Sequence, residues 1–226
     1  MFEKGVIQVA GVCDAAEAQL LIDSGVRYLG FPLRLPVNAE DLSEAEAAAL
    51  IAALPAGVHG VLITYLDRAE DVFAFCRELG VSMVQLHGPI EAAELMTLRM
   101  AAPELVIIKS LVVRGDNLDE LTLTIGASAP FVDAYITDTF DPASGAEGAT
   151  GLTHDWAIDR RLVALSPRPV ILAGGLRPDN VAEAIRQVRP FGVDVHTGIE
   201  GADGRKDRAL TQRFVSEAKR AFADIR

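Results

Sequence analysis

Apolar segments alternate with amphipathic segments along the whole chain of 226 residues. Each apolar segment is short and rich in Val, Ile and Leu, as in buried parallel strands, and a stretch with helical spacing of apolar residues follows it. Eight such strands are predicted, at 6–12, 28–33, 60–65, 82–87, 105–113, 134–139, 170–173 and 193–197. Eight strand–helix pairs predict an α/β fold, a closed (β/α)8 TIM barrel, with an open doubly wound sheet as the alternative.

The composition limits the number of domains, the compartment and the partners. No linker rich in Pro, Gly or Ser divides the chain, so we expect one domain over residues 1–226. No apolar run reaches the roughly 18 residues of a membrane span, and the amino-terminal segment does not resemble a secretion signal. Two cysteines, Cys13 and Cys76, are too few for a disulfide framework, which is typical of the cytoplasm.

The net charge and the small number of metal-binding side chains limit the possible partners and cofactors. A net charge of −11 argues against a nucleic-acid or membrane surface as the partner. The chain has only four histidines and no cysteine–histidine spacing typical of a metal site, so we expect neither a metal nor another cofactor. Whether the protein is a monomer or a homodimer stays open, because a barrel helix can face solvent or a partner with similar patterning.

A candidate ligand-binding element follows the seventh predicted strand. Gly174 and Gly175 separate this strand from the next helix, and glycines allow backbone N–H groups to approach an anion closely. Thr197 and Gly198 end the eighth strand, and barrels of this kind commonly hold phosphate after strands seven and eight. A long glycine-rich loop containing Gly151 follows the sixth strand. These five residues predict a site for a phosphorylated small molecule.

Motifs in the same order resemble the phosphoribosylanthranilate isomerase family of tryptophan biosynthesis along nearly the whole chain. They are Gln85–Gly88 for the family's QLHG, Gly148–Trp156 for GGTG…FDW, Leu172–Val181 for LAGGL…NV, Val193–Glu200 for VDVSSGVE, and Gly204–Asp207 for GxKD. The resemblance implies an isomerase that carries out an Amadori-type rearrangement of a phosphoribosyl amine. A general acid opens the ribose ring to an imine, and a general base then removes the C2′ proton.

The resemblance also implies roles for individual residues. Asp138, at the end of the sixth strand, corresponds to the general acid, with a structural cap or ion pair as the alternative. Arg34 is a candidate for binding a carboxylate, although the family's serine–proline–arginine spacing is not kept, and it is equally well explained as a solvated loop arginine. The further substrate-binding candidates are Gln85, His87, Lys109 and Asp194. For His87 the alternative is a structural histidine. Lys109 could form a Schiff base or, as a lysine is also common at this position in the family, pair with a site carboxylate.

Strand one of this chain departs from the family. The family's lysine–isoleucine–cysteine–glycine motif, in which the cysteine is the base, corresponds here to Gln8-Val-Ala10-Gly, and alanine has no proton to exchange. Cys13 is a possible substitute base, since a thiol at a helix N-terminus can have a lowered pKa; a packing thiol is the alternative. His196 replaces a serine of the family and is a possible acid–base group or a source of positive charge for phosphate.

Three hypotheses follow from these observations. The first is a phosphoribosylanthranilate isomerase-like enzyme with an unorthodox base. The second is a divergent enzyme that acts on another phosphorylated sugar or imine. The third is a non-catalytic paralogue that binds a phosphorylated ligand. All three retain the glycine turns, and they differ in what Ala10, Cys13, Arg34 and His196 do.

Overall fold

The computed structural model describes residues 4–36, 40–139 and 155–225. Eight parallel strands pair in the order β1 to β8 and close into a barrel, which confirms the predicted (β/α)8 fold. The strands are β1 Val6–Ala10, β2 Tyr28–Pro32, β3 His59–Thr64, β4 Met83–Leu86, β5 Val106–Val113, β6 Ala134–Thr139, β7 Val170–Leu172 and β8 Gly192–Val195. The helices are α1 Ala15–Asp23, α2 Glu44–Ala52, α3 Ala69–Leu79, α4 Ala92–Ala101, α5 Leu118–Ser128, α6 Trp156–Leu165, α7 Val181–Val188 and α8 Arg208–Asp224, and a 3₁₀ helix, Thr197–Ile199, follows β8.

The two faces of the strands bury different sets of side chains. One face packs against the helices, and the other fills the barrel with a separate apolar cluster made of Val61, Met83, Ile108, Ala134, Ile136, Ile171 and Ala173. Because successive side chains of a strand point to opposite faces, the inward positions follow from the outward ones. Towards the carboxyl ends of β1, β4, β6 and β8, the inward positions are occupied by polar side chains: Gln8, Gln85, Asp138 and Asp194. We call this end of the barrel the mouth.

Several element boundaries differ from the predicted ones. Strand β1 ends at Ala10, because Gly11 has a left-handed φ of +76° that no strand residue adopts. Helix α7 begins at Val181 and not at Pro178. The side chain of Asn180 accepts a hydrogen bond from the Arg177 N–H at 2.7 Å and donates to the Gly175 carbonyl at 3.0 Å, which holds the chain before α7 in a turn.

Helix caps tie the loops of the mouth together. Ser43 and Glu46 form a capping box at α2. At α1, Asp14 accepts from the Glu17 N–H at 2.8 Å, but the Glu17 carboxylate does not complete a box. It accepts instead from the backbone N–H groups of Cys13 and Lys206, at 3.0 and 2.8 Å. Through these two hydrogen bonds, Glu17 connects the loop after β1 to the segment after β8. Within the described ranges, no helix has the length and apolar character needed to cross a bilayer.

Candidate active site

Asp138 lies inside the mouth at the end of β6. Ala134 and Ile136 of the same strand belong to the interior cluster, so Asp138 shares their inward face. Its side chain is 14% exposed, and Oδ2 lies 3.9 Å from His87 Nε2. The other carboxylate oxygen accepts from the Thr139 N–H at 2.8 Å. A carboxyl group in this position can exchange a proton with a ligand in the mouth.

His87 is held on two sides just after β4. Its Nδ1 lies 3.1 Å from the Ser110 hydroxyl oxygen, and its ring centroid lies 4.9 Å from that of Tyr65. The side chain is 5% exposed. These contacts fix the ring with Nε2 towards Asp138, so the two predicted site residues are brought together.

A layer of polar side chains crosses the barrel beneath Asp138. Gln8 on β1 donates from Nε2 to Gln85 Oε1 on β4 at 2.8 Å, and β1 and β8 pair with Gln8 opposite Asp194. Asp194 faces inwards because its neighbours Val193 and Val195 pack in the helix-facing core. Burial and the charge of Asp138 raise the pKa of Asp194 to about 7, against the opposing effects of a hydrogen bond from Gln8 and the charge of Lys206.

The two glycine turns meet at one side of the mouth. Gly174 and Gly175 both have left-handed φ values, +95° and +60°. Gly198 packs so tightly against the β7–α7 loop that an added Cβ would lie 1.8 Å from the Leu176 carbonyl oxygen. Within the described chain, no backbone carbonyl accepts from the N–H groups of Gly174, Gly175, Thr197 or Gly198. Unused N–H donors on two adjoining turns can bind an anion.

His196 lies between this side and strand one. A Cβ on Gly11 would come within 2.2 Å of its Nε2, so the ring covers the end of β1. Nε2 also lies 3.6 Å from Glu200 Oε1. Burial and the charge of Lys206 lower the pKa of His196 to about 4. This lowered pKa favours the uncharged imidazole at neutral pH and argues against the expectation that His196 adds positive charge for phosphate.

Cys13 does not have the environment expected of an activated thiol. Burial, a hydrogen bond to Glu17 and the negative charge of Glu17 raise its pKa to about 11. The lowered pKa expected at a helix N-terminus is therefore not found, because burial first, and then the hydrogen bond and charge of Glu17, act against the thiolate. The role of Cys13 as a substitute base stays a prediction, and the raised pKa argues against it.

Arg34 and Lys109 point away from the interior cluster. Arg34 donates from its guanidinium to both carboxylate oxygens of Glu44, at 2.8 and 3.0 Å, and lies 3.6 Å from the centre of the Phe75 ring. It thus bridges α2 and α3. Lys109 shares the face of β5 whose other residues pack towards the helices, and its ammonium donates to the Gly88 carbonyl at 2.8 Å. The structure does not bring these two residues together with Asp138.

Gly151, predicted in the loop after β6, lies outside the described residues. In the ranges that are described, no group of three or more His, Cys, Asp or Glu side chains is arranged to hold a metal ion.

Lys206 and Glu17 form a buried network that sequence reasoning did not assign. Lys206 is 5% exposed, and its ammonium donates to Glu200 at 2.6 Å and to the His196 carbonyl at 3.2 Å. The GxKD motif was the available signal for Lys206. Nothing local marked this role of Glu17, because its partner at Lys206 lies 189 residues away in the chain.

The chain is similar to proteins of one family over most of its length. The family model for N-(5'phosphoribosyl)anthranilate (PRA) isomerase matches residues 7–217. N-(5'-phosphoribosyl)anthranilate isomerase 2 of Methanosarcina mazei is 38% identical over 224 residues, which cover 97% of this chain and 96% of that protein. The crystal structure of phosphoribosyl anthranilate isomerase from Thermotoga maritima superimposes with a TM-score of 0.80 at 27% identity, covering 95% of this chain and 98% of that one.

A further similar structure is a phosphoribosyl anthranilate isomerase in complex with reduced 1-(o-carboxyphenylamino)-1-deoxyribulose 5-phosphate. It has a TM-score of 0.78 and 25% identity, and the match covers 95% of this chain and 98% of that chain. The family match spans most of the barrel, and the relative from Methanosarcina mazei is similar over nearly its full length. The chain belongs to the N-(5'-phosphoribosyl)anthranilate isomerase family.

Proposed function

We propose that this protein isomerises N-(5'-phosphoribosyl)anthranilate to 1-(o-carboxyphenylamino)-1-deoxyribulose 5-phosphate, a step of tryptophan biosynthesis. The observation that carries the proposal is the combination, at one end of the barrel, of the inward carboxyl of Asp138 with N–H groups of the two glycine turns that no carbonyl of the described residues accepts from. A phosphate handle and a proton donor at the same mouth are what a phosphoribosyl substrate requires. A family relative of known structure holds a reduced form of this product.

Asp138 is the general acid in this proposal. Its carboxyl group gives a proton to the ribose ring oxygen, the bond between that oxygen and C1′ breaks, and an imine remains. His87, 3.9 Å from the carboxylate, limits the positions that Asp138 can adopt. Gln85 and Asp194 line the interior beneath it and are proposed to contact the sugar.

The phosphate binds to the N–H groups of Gly174, Gly175, Thr197 and Gly198 in this proposal. The close packing of Gly198 against the β7–α7 loop supports it, because this packing holds the donors of both turns in a fixed arrangement. Preformed donors lose little entropy when the ligand arrives. Gly151 is proposed as a further contact on the strength of the motif alone.

Loss of anthranilate-type fluorescence tests the function. Purified protein is expected to convert phosphoribosylanthranilate, and Asp138→Asn, which keeps the side-chain shape but cannot give up a carboxyl proton, is expected to lower kcat by about 10²–10⁴-fold. Asp224→Asn, at the exposed end of α8, is the matched control. Growth of a tryptophan auxotroph that lacks this isomerase provides a second readout. No turnover by the folded wild-type protein contradicts the proposal.

Ala10 favours a second candidate, an enzyme for another phosphorylated sugar or imine, because the family's base is missing there. If this candidate is correct, the purified protein leaves phosphoribosylanthranilate unchanged and turns over a compound from a panel of sugar phosphates. Binding of such ligands without any turnover would favour the non-catalytic paralogue.

We infer a cytoplasmic monomer or homodimer. A family relative from Thermotoga maritima is described as dimeric, and its structure as monomers is also known. The described surface exposes Met96 and Met100 on α4 and Leu123 on α5. Sedimentation equilibrium over a range of concentrations distinguishes the two states.

A further inference from the structure

We propose that Asp194 is the general base that removes the C2′ proton of the open-chain imine. The inference rests on the proposed function and deepens it, because the strand-one position where the family has its base holds Ala10. The described residues near that position that can accept a proton are Asp194, His196 and Cys13. The inward position of Asp194 in the polar layer, together with the protonation behaviour of the other two, favours Asp194.

Asp194 lies next to the vacant strand-one position. Strands β1 and β8 are hydrogen-bonded neighbours with Gln8 opposite Asp194, and Ala10 is the next inward residue of β1 towards the mouth. The methyl group of Ala10 is smaller than the cysteine side chain of the family. Asp194 is 9% exposed and Gln8 is fully buried, so both lie in the floor of the mouth. A ligand that descends past Ala10 meets Asp194.

Two buried oxygen atoms in this layer have no donor. Asp194 Oδ1 and Gln8 Oε1 are both shielded from solvent, and neither receives a hydrogen bond within the described chain. Buried acceptors are normally satisfied, and a catalytic role is one explanation for an exception. A sugar hydroxyl that donates to Gln8 would bring its carbon beside the unpaired oxygen of Asp194. This requirement points to the polyhydroxylated part of the substrate, not to its phosphate.

The second departure on strand one supports the same role. The family's lysine corresponds to Gln8, and a lysine there would place a cation against Asp194 and make it a weaker base. Gln8 instead contributes one hydrogen bond and no charge. The groups facing Asp194 are then Gln8, the carboxyl of Asp138 and, after β8, Lys206, and their net effect with burial is a pKa of about 7. A base is most effective at neutral pH when its pKa lies near this value.

Asp138 and Asp194 form a complementary pair. The negative charge of Asp138 helps to raise the pKa of Asp194, so a proton shared by the pair at rest is held by Asp194. The proposed reaction starts from the other form, in which Asp138 carries the proton and Asp194 is ionised, and the ring oxygen is then protonated as its bond to C1′ breaks. Asp194 then takes the proton from C2′, the C–H electron pair forms the C1′–C2′ double bond, and the electrons of the iminium double bond move to nitrogen. The resulting enol becomes the ketone, and the overall change is an isomerisation.

The two other candidates fit the role less well. His196 covers the end of β1, but with a pKa of about 4 it binds a proton weakly at neutral pH. The thiol of Cys13 is hydrogen-bonded to Glu17 at the foot of α1, and the cost of ionising it is high, with a pKa of about 11. Cys13 lies in the loop after β1, and His196 follows β8 one level above Asp194, against Gly11.

The test compares Asp194→Asn with the double variant Asp194→Asn, Ala10→Cys in the phosphoribosylanthranilate assay. Asparagine keeps the shape and an acceptor for Gln8, so we expect folded protein with a kcat lower by about 10²–10⁴-fold and a KM changed much less. In the double variant, the thiol at the family position is expected to raise kcat at least about tenfold above that of Asp194→Asn. The pH dependence of kcat is expected to move towards the pKa of a thiol, about 8.5. Asp224→Asn is the control.

The outcomes separate the two proposals. Wild-type protein without isomerase activity overturns the function and this inference together. An active wild type whose kcat survives Asp194→Asn overturns the base assignment alone, and so does a loss of rate that appears only in Cys13→Ser or His196→Gln. A wild-type kcat that does not decrease as the pH falls below about 7 also contradicts a base with the environment of Asp194.

Discussion

Replacing Asp194 by asparagine is expected to stabilise the fold even as it removes activity. The folded protein holds the Asp194 proton with a pKa of about 7, against 3.8 for an ordinary aspartate. Because the folded state binds this proton more tightly than the unfolded state, the carboxyl destabilises the fold once the pH rises above about 4. The cost grows until about pH 7 and is constant above it.

The size of the effect follows from the two pKa values. Each unit of difference is worth about 1.4 kcal/mol, so the destabilisation by Asp194 is about 2 kcal/mol at pH 5 and reaches about 4 kcal/mol at pH 8. Relaxation of the site lowers both figures. The asparagine side chain of the variant has no proton to lose, and the gap between variant and wild type is therefore expected to widen by about 2 kcal/mol between these two pH values.

Urea unfolding followed by circular dichroism at pH 5, 6, 7 and 8 measures this gap. The variant is expected to unfold at a higher midpoint with an unchanged dependence on urea. The exposed Asp224→Asn control is expected to differ from wild type by no more than about 0.5 kcal/mol at every pH. Equal stability of wild type and Asp194→Asn at pH 8, or a gap that narrows as the pH rises, would refute the reasoning.

Three further predictions concern the surrounding loops. Gly198→Ala forces a Cβ to within 1.8 Å of a backbone oxygen and is expected to abolish stabilisation by inorganic phosphate in a thermal shift assay, while Gly126→Ala, which meets no atom within 4 Å, preserves it. Glu17→Gln removes the charge that helps to raise the pKa of Cys13, so iodoacetamide labelling of the thiol at pH 8 is expected to accelerate. Arg34→Ala breaks a half-exposed ion pair and is expected to cost about 1 kcal/mol of stability with KM unchanged; a tenfold higher KM would instead indicate contact with the substrate.

The barrel and the position of its mouth could be read from the sequence to a large extent. Alternating strands and helices gave the correct closure, and only a few ends moved, such as the start of α7 at Val181. That shift depends on side-chain hydrogen bonds of Asn180, which periodicity does not record. The pairing of His87 with Asp138 was foreseen only as far as both belong to strand ends.

The electrostatic character of the candidate residues could not be read in the same way. From its place before α1, Cys13 could be either an activated thiol or a packing thiol, and burial together with Glu17 raises its pKa. Arg34 was equally compatible with a carboxylate binder and with a solvated loop arginine, and the structure pairs it with Glu44. In both cases the local sequence left two roles open, because burial and the neighbours in space are not visible in it.

The sequence by itself determined the type of each element, the order of the strands and the end of the barrel where polar residues gather, because these properties depend on local periodicity and on turn residues such as Gly174 and Gly175. Only the tertiary structure decided which acids and bases share an environment. Asp194 acquires its pKa from burial and from Asp138 on another strand, and Lys206 meets Glu17 across 189 residues of chain. Coulomb interactions and desolvation depend on distance in space, which the order of residues along the chain does not fix.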